Sequence, residues 1–290
     1  NSFSAKYHII AILTVAVWGT TFISTKILIN SGMTPHEIFM LRFVIAYLGI
    51  LFISPRRVFS DNLKDELMMI AAGLTGGTLY FFTENTALKF TQTTNVAFII
   101  CATPLLTAGL SLLINKGDKV NKKWAFGSAI ALIGVAMLIF NGSVILKLSP
   151  IGDLLTLAAA LSWAFYSLII NKLSRKYNAV FITRKVFFYG AAGILPVFAV
   201  HPFSFPIEGF LRPEVWGNLL FLGLLASLVC FAVWNVVLVR LGTIMSSNYL
   251  YLNPLFTTIA ASLILDETLT IYAIAGVSLV MLGVFLSTRK

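Results

Sequence analysis

Residues 73–88, GLTGGTLYFFTENTAL, and residues 223–238, GLLASLVCFAVWNVVL, stand 150 positions apart and share Gly73 with Gly223, Phe81 with Phe231, Asn85 with Asn235 and Leu88 with Leu238. The match continues without a gap over 69–114 and 219–264, taking in Thr93 with Thr243, Pro104 with Pro254 and Thr107 with Thr257. One residue dropped from the next loop sets Gly127 on Gly276 and Gly134 on Gly283. Upstream, Trp18 falls on Trp163, and Arg42, Val44 and Tyr47 fall on Arg184, Val186 and Tyr189. Apolar segments share Leu and Val by chance, so the matched Asn, Pro, Trp and Arg carry the case. A fixed shift of this kind marks a duplicated unit, here 1–145 followed by 146–290.

Composition says what the unit is made of. Of 290 residues, 58% are hydrophobic and 11% charged, with a mean hydropathy of +0.91; a soluble domain averages about 45–50% apolar and about 25% charged. So little charge cannot cover a wetted surface, and the solvent for most of the chain is lipid. A bilayer core needs about 20 helical residues. Apolar runs near that length occupy 8–29, 36–54, 67–88, 94–114, 124–141, 150–171, 181–200, 214–238, 244–265 and 271–287. None alternates as a membrane β-strand would. The first is too long for a signal-peptide core and lacks a small-residue cleavage site, so it is kept as a mature span. The expected fold is an all-α integral membrane protein of ten transmembrane helices in two five-helix repeats. Five is odd, so the second repeat starts on the opposite side and the repeats are inverted, an architecture typical of secondary transporters.

Lys and Arg orient the chain. Connectors on the side of both termini carry Lys6, Arg56, Arg57, Lys64, Lys116, Lys119, Lys122, Lys123, Lys172, Arg175, Lys176, Arg240, Arg289 and Lys290, against Lys89, Lys147 and Arg212 opposite. Both termini are therefore expected in the cytoplasm of a plasma (inner) membrane. The net charge of +10 is spread over many connectors rather than gathered on one face, which argues against nucleic acid as a partner. Cys101 and Cys230 sit in apolar runs with no metal-spaced neighbour and read as packing residues. His8, His36 and His201 lie beside no nucleophile or acid at useful spacing, and no phosphate-binding loop is present, so neither an enzyme nor an ATP-driven pump is expected.

Trp18-Gly19-Thr20-Thr21-Phe22-Ile23-Ser24-Thr25-Lys26, Arg42-Phe43, Asn85-Thr86-Ala87-Leu88-Lys89-Phe90-Thr91, Pro104 in its apolar run and Gly152-Asp153-Leu154-Leu155 together resemble the drug/metabolite transporter superfamily, in its EamA type. The resemblance covers about 8–288 and implies a ten-helix inverted-repeat bundle that exports small metabolites such as amino acids through a central cavity between the halves. One departure is Asn115-Lys116-Gly117 where an acidic residue often ends the fourth helix; only the second copy keeps Asp266-Glu267.

Pro104 and Pro254 stand in mid-span at matched positions and free the carbonyls of Ile100 and Leu250, and paired interrupted helices point to a substrate site near the bilayer midplane. The candidate substrate-binding residues are Trp18, Tyr80, Asn85, Phe98, Trp163, Tyr166, Asn235, Asn248, Tyr249 and Asn253, in which Tyr80 with Glu84 and Tyr249 with Asn253 share helical faces at i, i+4. Aromatic faces beside neutral hydrogen-bonding groups suit an amphipathic zwitterion or aromatic metabolite. Glu84 is the deepest acid by sequence and must pair, reach water or stay protonated; Lys26 and Arg42 are expected at similar depth, and the three form a candidate gating or proton-coupling group. Gly73 and Gly77, echoed by Gly223 and Ser227, are expected to serve close helix packing within each half. The expected partners are a small-molecule substrate, membrane lipid and protons, with no cofactor or metal, in a monomer or weak homodimer. The competing expectation is a lipid or lysolipid flippase, marked by a lateral opening.

Overall fold

Helix starts follow the residues that satisfy free backbone N–H groups. The computed structural model describes residues 2–54, 57–87, 90, 93–114, 119–140, 149–265 and 270–288, and among them every regular element is helical. Helix α1 (Ser2–Asn30) closes at Gly32, whose φ of +100° suits only glycine. Helix α2 (Pro35–Leu51) opens on a proline, and the Glu37 carboxylate accepts the Thr34 N–H at 2.8 Å. Asn62 accepts the Asp65 N–H at 2.9 Å to start α3 (Leu63–Gly73). That helix widens into π-helical Leu74–Leu79 and continues as α4 (Tyr80–Ala87). Then come α5 (Thr93–Ile100), α6 (Thr103–Ile114) and α7 (Lys122–Phe140), the last capped by Asn121 on the Trp124 N–H at 2.7 Å.

The second half repeats the plan. It holds α8 (Pro150–Leu173), α9 (Ala179–Val200), a 3-10 turn at Ile207–Leu211, α10 (Pro213–Leu220), π-helical Phe221–Val229 and α11 (Cys230–Leu241). After these come α12 (Thr243–Ser247), 3-10 Asn248–Leu252, α13 (Asn253–Leu265) and α14 (Ile271–Ser287). Among the described residues, six stretches are long and apolar enough to cross a bilayer: Ala5–Asn30, Val96–Ile114, Lys122–Phe140, Pro150–Leu173, Ala179–Val200 and Pro213–Leu241. Ile271–Ser287 is shorter but apolar. Arg56, Leu88, Lys89, Thr91, Asn115-Lys116-Gly117, Lys147, Asp266-Glu267, Arg289 and Lys290, all singled out from sequence, lie outside the described residues.

Irregular backbone recurs at repeat-matched places. The two π-helices are one pair, since 74–79 shifts onto 224–229. The turn at Cys101 and Ala102 and the 3-10 segment Asn248–Leu252 are another, each just before a proline that has no N–H to give. Local winding recovers both freed carbonyls: Ile100 O accepts from Thr103 Oγ1 at 2.6 Å, and Leu250 O from the Asn253 N–H.

Packing partners exchange in the same way. Helix α1 lies on α11 and α13 as α8 lies on α4 and α6, and α2 lies on the second π-helix as α9 lies on the first. The α7–α14 pair meets backbone to backbone: a Cβ on Gly127 would lie 2.6 Å from Gly283 O, and one on Gly134 2.7 Å from Gly276 O. Early residues of one helix thus face late residues of the other, and the two run antiparallel. Gly73 and Gly77 depart from the expected packing within one half. A Cβ on Gly73 would lie 2.6 Å from Tyr189 Cβ, and Gly77 faces both Phe43 and Gly190, so the small residues bring the two halves together.

Candidate functional site

Trp18 on α1 and Trp163 on α8 occupy equivalent repeat positions and meet edge to face at 5.6 Å in the buried core. Phe231 lies 5.9 Å from Trp18 and 5.7 Å from Trp163; Trp234 is 5.2 Å from Trp18; Tyr80 and Tyr166 are 5.4 Å and 5.0 Å from Trp163. Such offset and edge contacts are the favoured aromatic geometries. The Trp18 indole donates to Ala226 O at 2.9 Å, in the π-helix, while the buried Nε1 of Trp163 has no acceptor among the described residues. Equivalent residues therefore carry different loads. Trp18→Phe is expected to cost about 1 kcal/mol more stability than Trp163→Phe, because only the first leaves a buried carbonyl short of a donor; paired thermal denaturation in one detergent checks it.

Around this aromatic centre the polar groups form two sets. Tyr166 donates to Asn235 Oδ1 at 2.7 Å, and Asn235 Nδ2 to Thr183 Oγ1 at 2.8 Å, tying α8, α11 and α9. Arg42 donates through Nε to Ser227 at 2.9 Å and lies over the Phe81 ring at 5.2 Å; Tyr80 donates to Glu84 Oε1 at 3.1 Å. Arg42 and Glu84 make no ion pair within 4.0 Å. Thus Trp18, Arg42, Tyr80, Glu84, Trp163, Tyr166 and Asn235 come together from both halves.

Other candidates fall elsewhere. Lys26 is exposed on α1, so it does not join Glu84; a helix apolar nearly all round gives no phase by which to place one lysine. Phe98 packs on Phe140 at 5.4 Å, at the edge of the core cluster that holds the tryptophans. Asn85 is half-buried, unlike its fully buried counterpart Asn235. The 3-10 winding of Asn248–Leu252 turns about 120° per residue, so Tyr249 and Asn253 do not share the expected face. Tyr249 is buried and hydrogen-bonded to His8 in the first turns of α1. Asn248 is fully buried with both amide atoms unpartnered, and Asn253 is half-buried. Pro104 is buried and Pro254 half-buried at their helix breaks.

Two charged networks at opposite ends of α2 and α9 were not singled out from sequence. The first joins the 57–66 connector and the start of α3 to the start of α9. Lys185, only 5% exposed, pairs with Glu66 and donates to Val58 O at 3.0 Å; Tyr189 also donates to Glu66, and Arg184 to Arg57 O. Asp65 takes Lys176 Nζ at 2.5 Å and the Tyr177 hydroxyl at 2.7 Å. Glu66 precedes the apolar run, and although burial pushes its carboxyl upward, Lys185, Tyr189 and Ser60 hold it down to about 2. The signal was an Arg-Lys pair at 184–185 just inside one apolar run, facing an acid just outside another. At the other end Glu37, 0% exposed, accepts the N–H groups of Ser204 at 2.5 Å and Phe205 at 3.0 Å. Its signal was the Thr34-Pro35-His36-Glu37 capping pattern.

A bundle of long apolar helices with a duplicated plan and a polar-aromatic centre shared by both copies is the design of an integral membrane transporter. The chain belongs to the EamA-like transporter family, whose model matches twice, at 5–140 and 150–289. An uncharacterized transporter of Archaeoglobus fulgidus is 28% identical over 99% of both chains. An Escherichia coli K12 protein named "Probable amino-acid metabolite efflux pump" is 25% identical over 98% of this chain and 95% of its own. A solved crystal structure superposes with a TM-score of 0.79 over 97% of this chain and 96% of its own at 19% identity, which supports the fold alone.

Proposed function

We propose that the chain crosses the membrane ten times as two inverted five-helix repeats, with both termini in the cytoplasm, and exports small metabolites by alternating access. The favoured substrates are amino acids or related zwitterionic and aromatic compounds. Exchange of the glycines supports the inversion: positions equivalent in sequence, Gly127 with Gly276 and Gly134 with Gly283, pair crosswise as Gly127 with Gly283 and Gly134 with Gly276. That is how a two-fold axis lying between α7 and α14 acts on an antiparallel pair. The relatives named for amino-acid metabolite efflux support the substrate class.

One observation carries the reading. The buried centre is built across the halves, with Trp18 donating to Ala226 O and Ser162 to Thr75 O at 2.7 Å, so rocking one half on the other reshapes it. The π-helices that receive these bonds are a usual mark of functional segments. Counterflow in proteoliposomes with the twenty radiolabelled L-amino acids tests it, with and without a pH gradient. Saturable exchange of at least one amino acid is expected. No exchange of any of them, or exchange of lysolipid instead, overturns the substrate class. Acceleration by an opposing pH gradient assigns protons as the driving ion.

A further inference from the structure

We infer that Arg42 and Glu84 are the two recognition poles of the substrate site, Arg42 taking the carboxylate and Glu84 the ammonium group of a zwitterionic amino acid lying on the tryptophans. The inference rests on the amino-acid reading above. Arg42 is 6% and Glu84 9% exposed. Each gives the protein only part of its bonding capacity. Arg42 uses Nε on Ser227, and its terminal guanidinium nitrogens have no acceptor among the described residues; Glu84 uses Oε1 on Tyr80, and Oε2 has no donor there. Two opposite charges buried without an ion pair, one over the Phe81 ring and one on the adjoining Tyr80, are poorly compensated, since desolvation is repaid only by good pairing. A ligand carrying both charges supplies the missing partners at once. The guanidinium fork matches a carboxylate with two parallel hydrogen bonds.

The broken symmetry of the repeat sets the ligand's direction. Shifted by 150, Glu84 corresponds to Trp234 and Tyr80 to Cys230, while Phe81 keeps Phe231. The charged end of the centre is therefore built around α2 and α4, while α11 brings Phe231 and Trp234 beside the neutral amide of Asn235. Arg184, the counterpart of Arg42, is spent at the mouth on Arg57 O. A side chain laid over Trp18 and Trp163 points toward Trp234, and the free Trp163 N–H offers the carboxylate one more donor.

The test is competition binding to the purified full chain in nanodiscs. The radiolabelled ligand is the L-amino acid that exchanges best in counterflow; the competitors are its decarboxylated amine and its deaminated acid. The intact protein is expected to prefer the zwitterion over either analogue by about 30-fold, the worth of one buried charge partner. Arg42→Gln should erase the preference over the amine and keep that over the acid. Glu84→Gln should do the reverse. Arg42→Lys and Glu84→Asp should restore part of each preference, which separates recognition from misfolding. Unchanged discrimination in both Gln variants, equal loss for all three ligands, or a Glu84→Gln effect confined to pH dependence overturns the assignment while leaving the amino-acid reading intact. Binding of no amino acid to the unmodified protein overturns that reading, and this inference with it.

Discussion

Replacing Glu66 by Gln is expected to be among the most damaging single changes outside the apolar runs, because it strands a buried ammonium. Once the carboxylate is gone Lys185 keeps the Val58 carbonyl and the Tyr189 hydroxyl, at 3.0 Å and 3.4 Å, and the ring faces of Phe59, Phe181 and Tyr189, but no opposite charge among the described residues. Breaking one side of a buried pair costs about 3 kcal/mol, whereas removing both partners together costs less. Glu66→Gln and Lys185→Met should each lower the midpoint of thermal unfolding in detergent, and the double variant should lie above both. The same contacts join the 57–66 connector of the first half to the start of α9 in the second, so their loss loosens the packing of one half on the other at that end. Cys230, 3% exposed beside the centre, should then react faster with maleimide in a Cys101→Ala background. The pH dependence has a definite sign. The Glu66 carboxyl is held below its ordinary value, to about 2, so its contribution is complete above about pH 4.5 and fades as the pH falls toward 2. Acid unfolding of the intact protein should show that loss, and Glu66→Gln should remove it; an identical acid profile in the two would refute the pairing.

How much of this was legible follows from the range of each interaction. Duplication and apolar runs are properties of sequence alone, and the duplication is what singled out Trp18 and Trp163, which meet edge to face. Winding was hidden. Nothing in Leu74–Leu79 or Phe221–Val229 announces a π-helix except small residues at 76, 77, 226 and 227, and the tertiary requirement is visible only in space: a Cβ on Gly76 would lie 2.3 Å from the Tyr166 ring. Three-residue winding before Pro254 likewise rotated Tyr249 away from Asn253. Long-range charge pairing was hidden too. Glu66 and Lys185 are read separately as connector and span, and only packing of α3 on α9 brings them together. Glu84, by contrast, stood out as the deepest acid of the apolar runs, although only four residues from the end of its run at Leu88, because lipid makes any acid inside a span costly.

The glycines of α7 and α14 give the second large effect. Side chains can rotate out of a clash, but these contacts are backbone on backbone: a Cβ on Gly283 would sit 2.4 Å from the Ala131 nitrogen, and one on Gly134 2.6 Å from the Val280 nitrogen. Only separation of the two helices relieves that, and separation forfeits the close contact along their whole length, where packing rather than a hydrophobic force holds helices together in lipid. Gly134→Val and Gly283→Val are each expected to cost about 3 kcal/mol or more and to abolish monodisperse protein on gel filtration. Alanine is the milder and more informative probe. Because Gly134 faces Gly276, the double Gly134→Ala, Gly276→Ala variant should cost clearly less than the two singles added, the second Cβ entering a gap the first has already opened. Gly134→Ala combined with Gly109→Ala should add simply, since a Cβ at Gly109 meets nothing within 4 Å and a helical alanine there is neutral or stabilising. Strict additivity for the Gly134 and Gly276 pair would mean that the helices do not cross there, and the antiparallel contact between the two halves would fall with it.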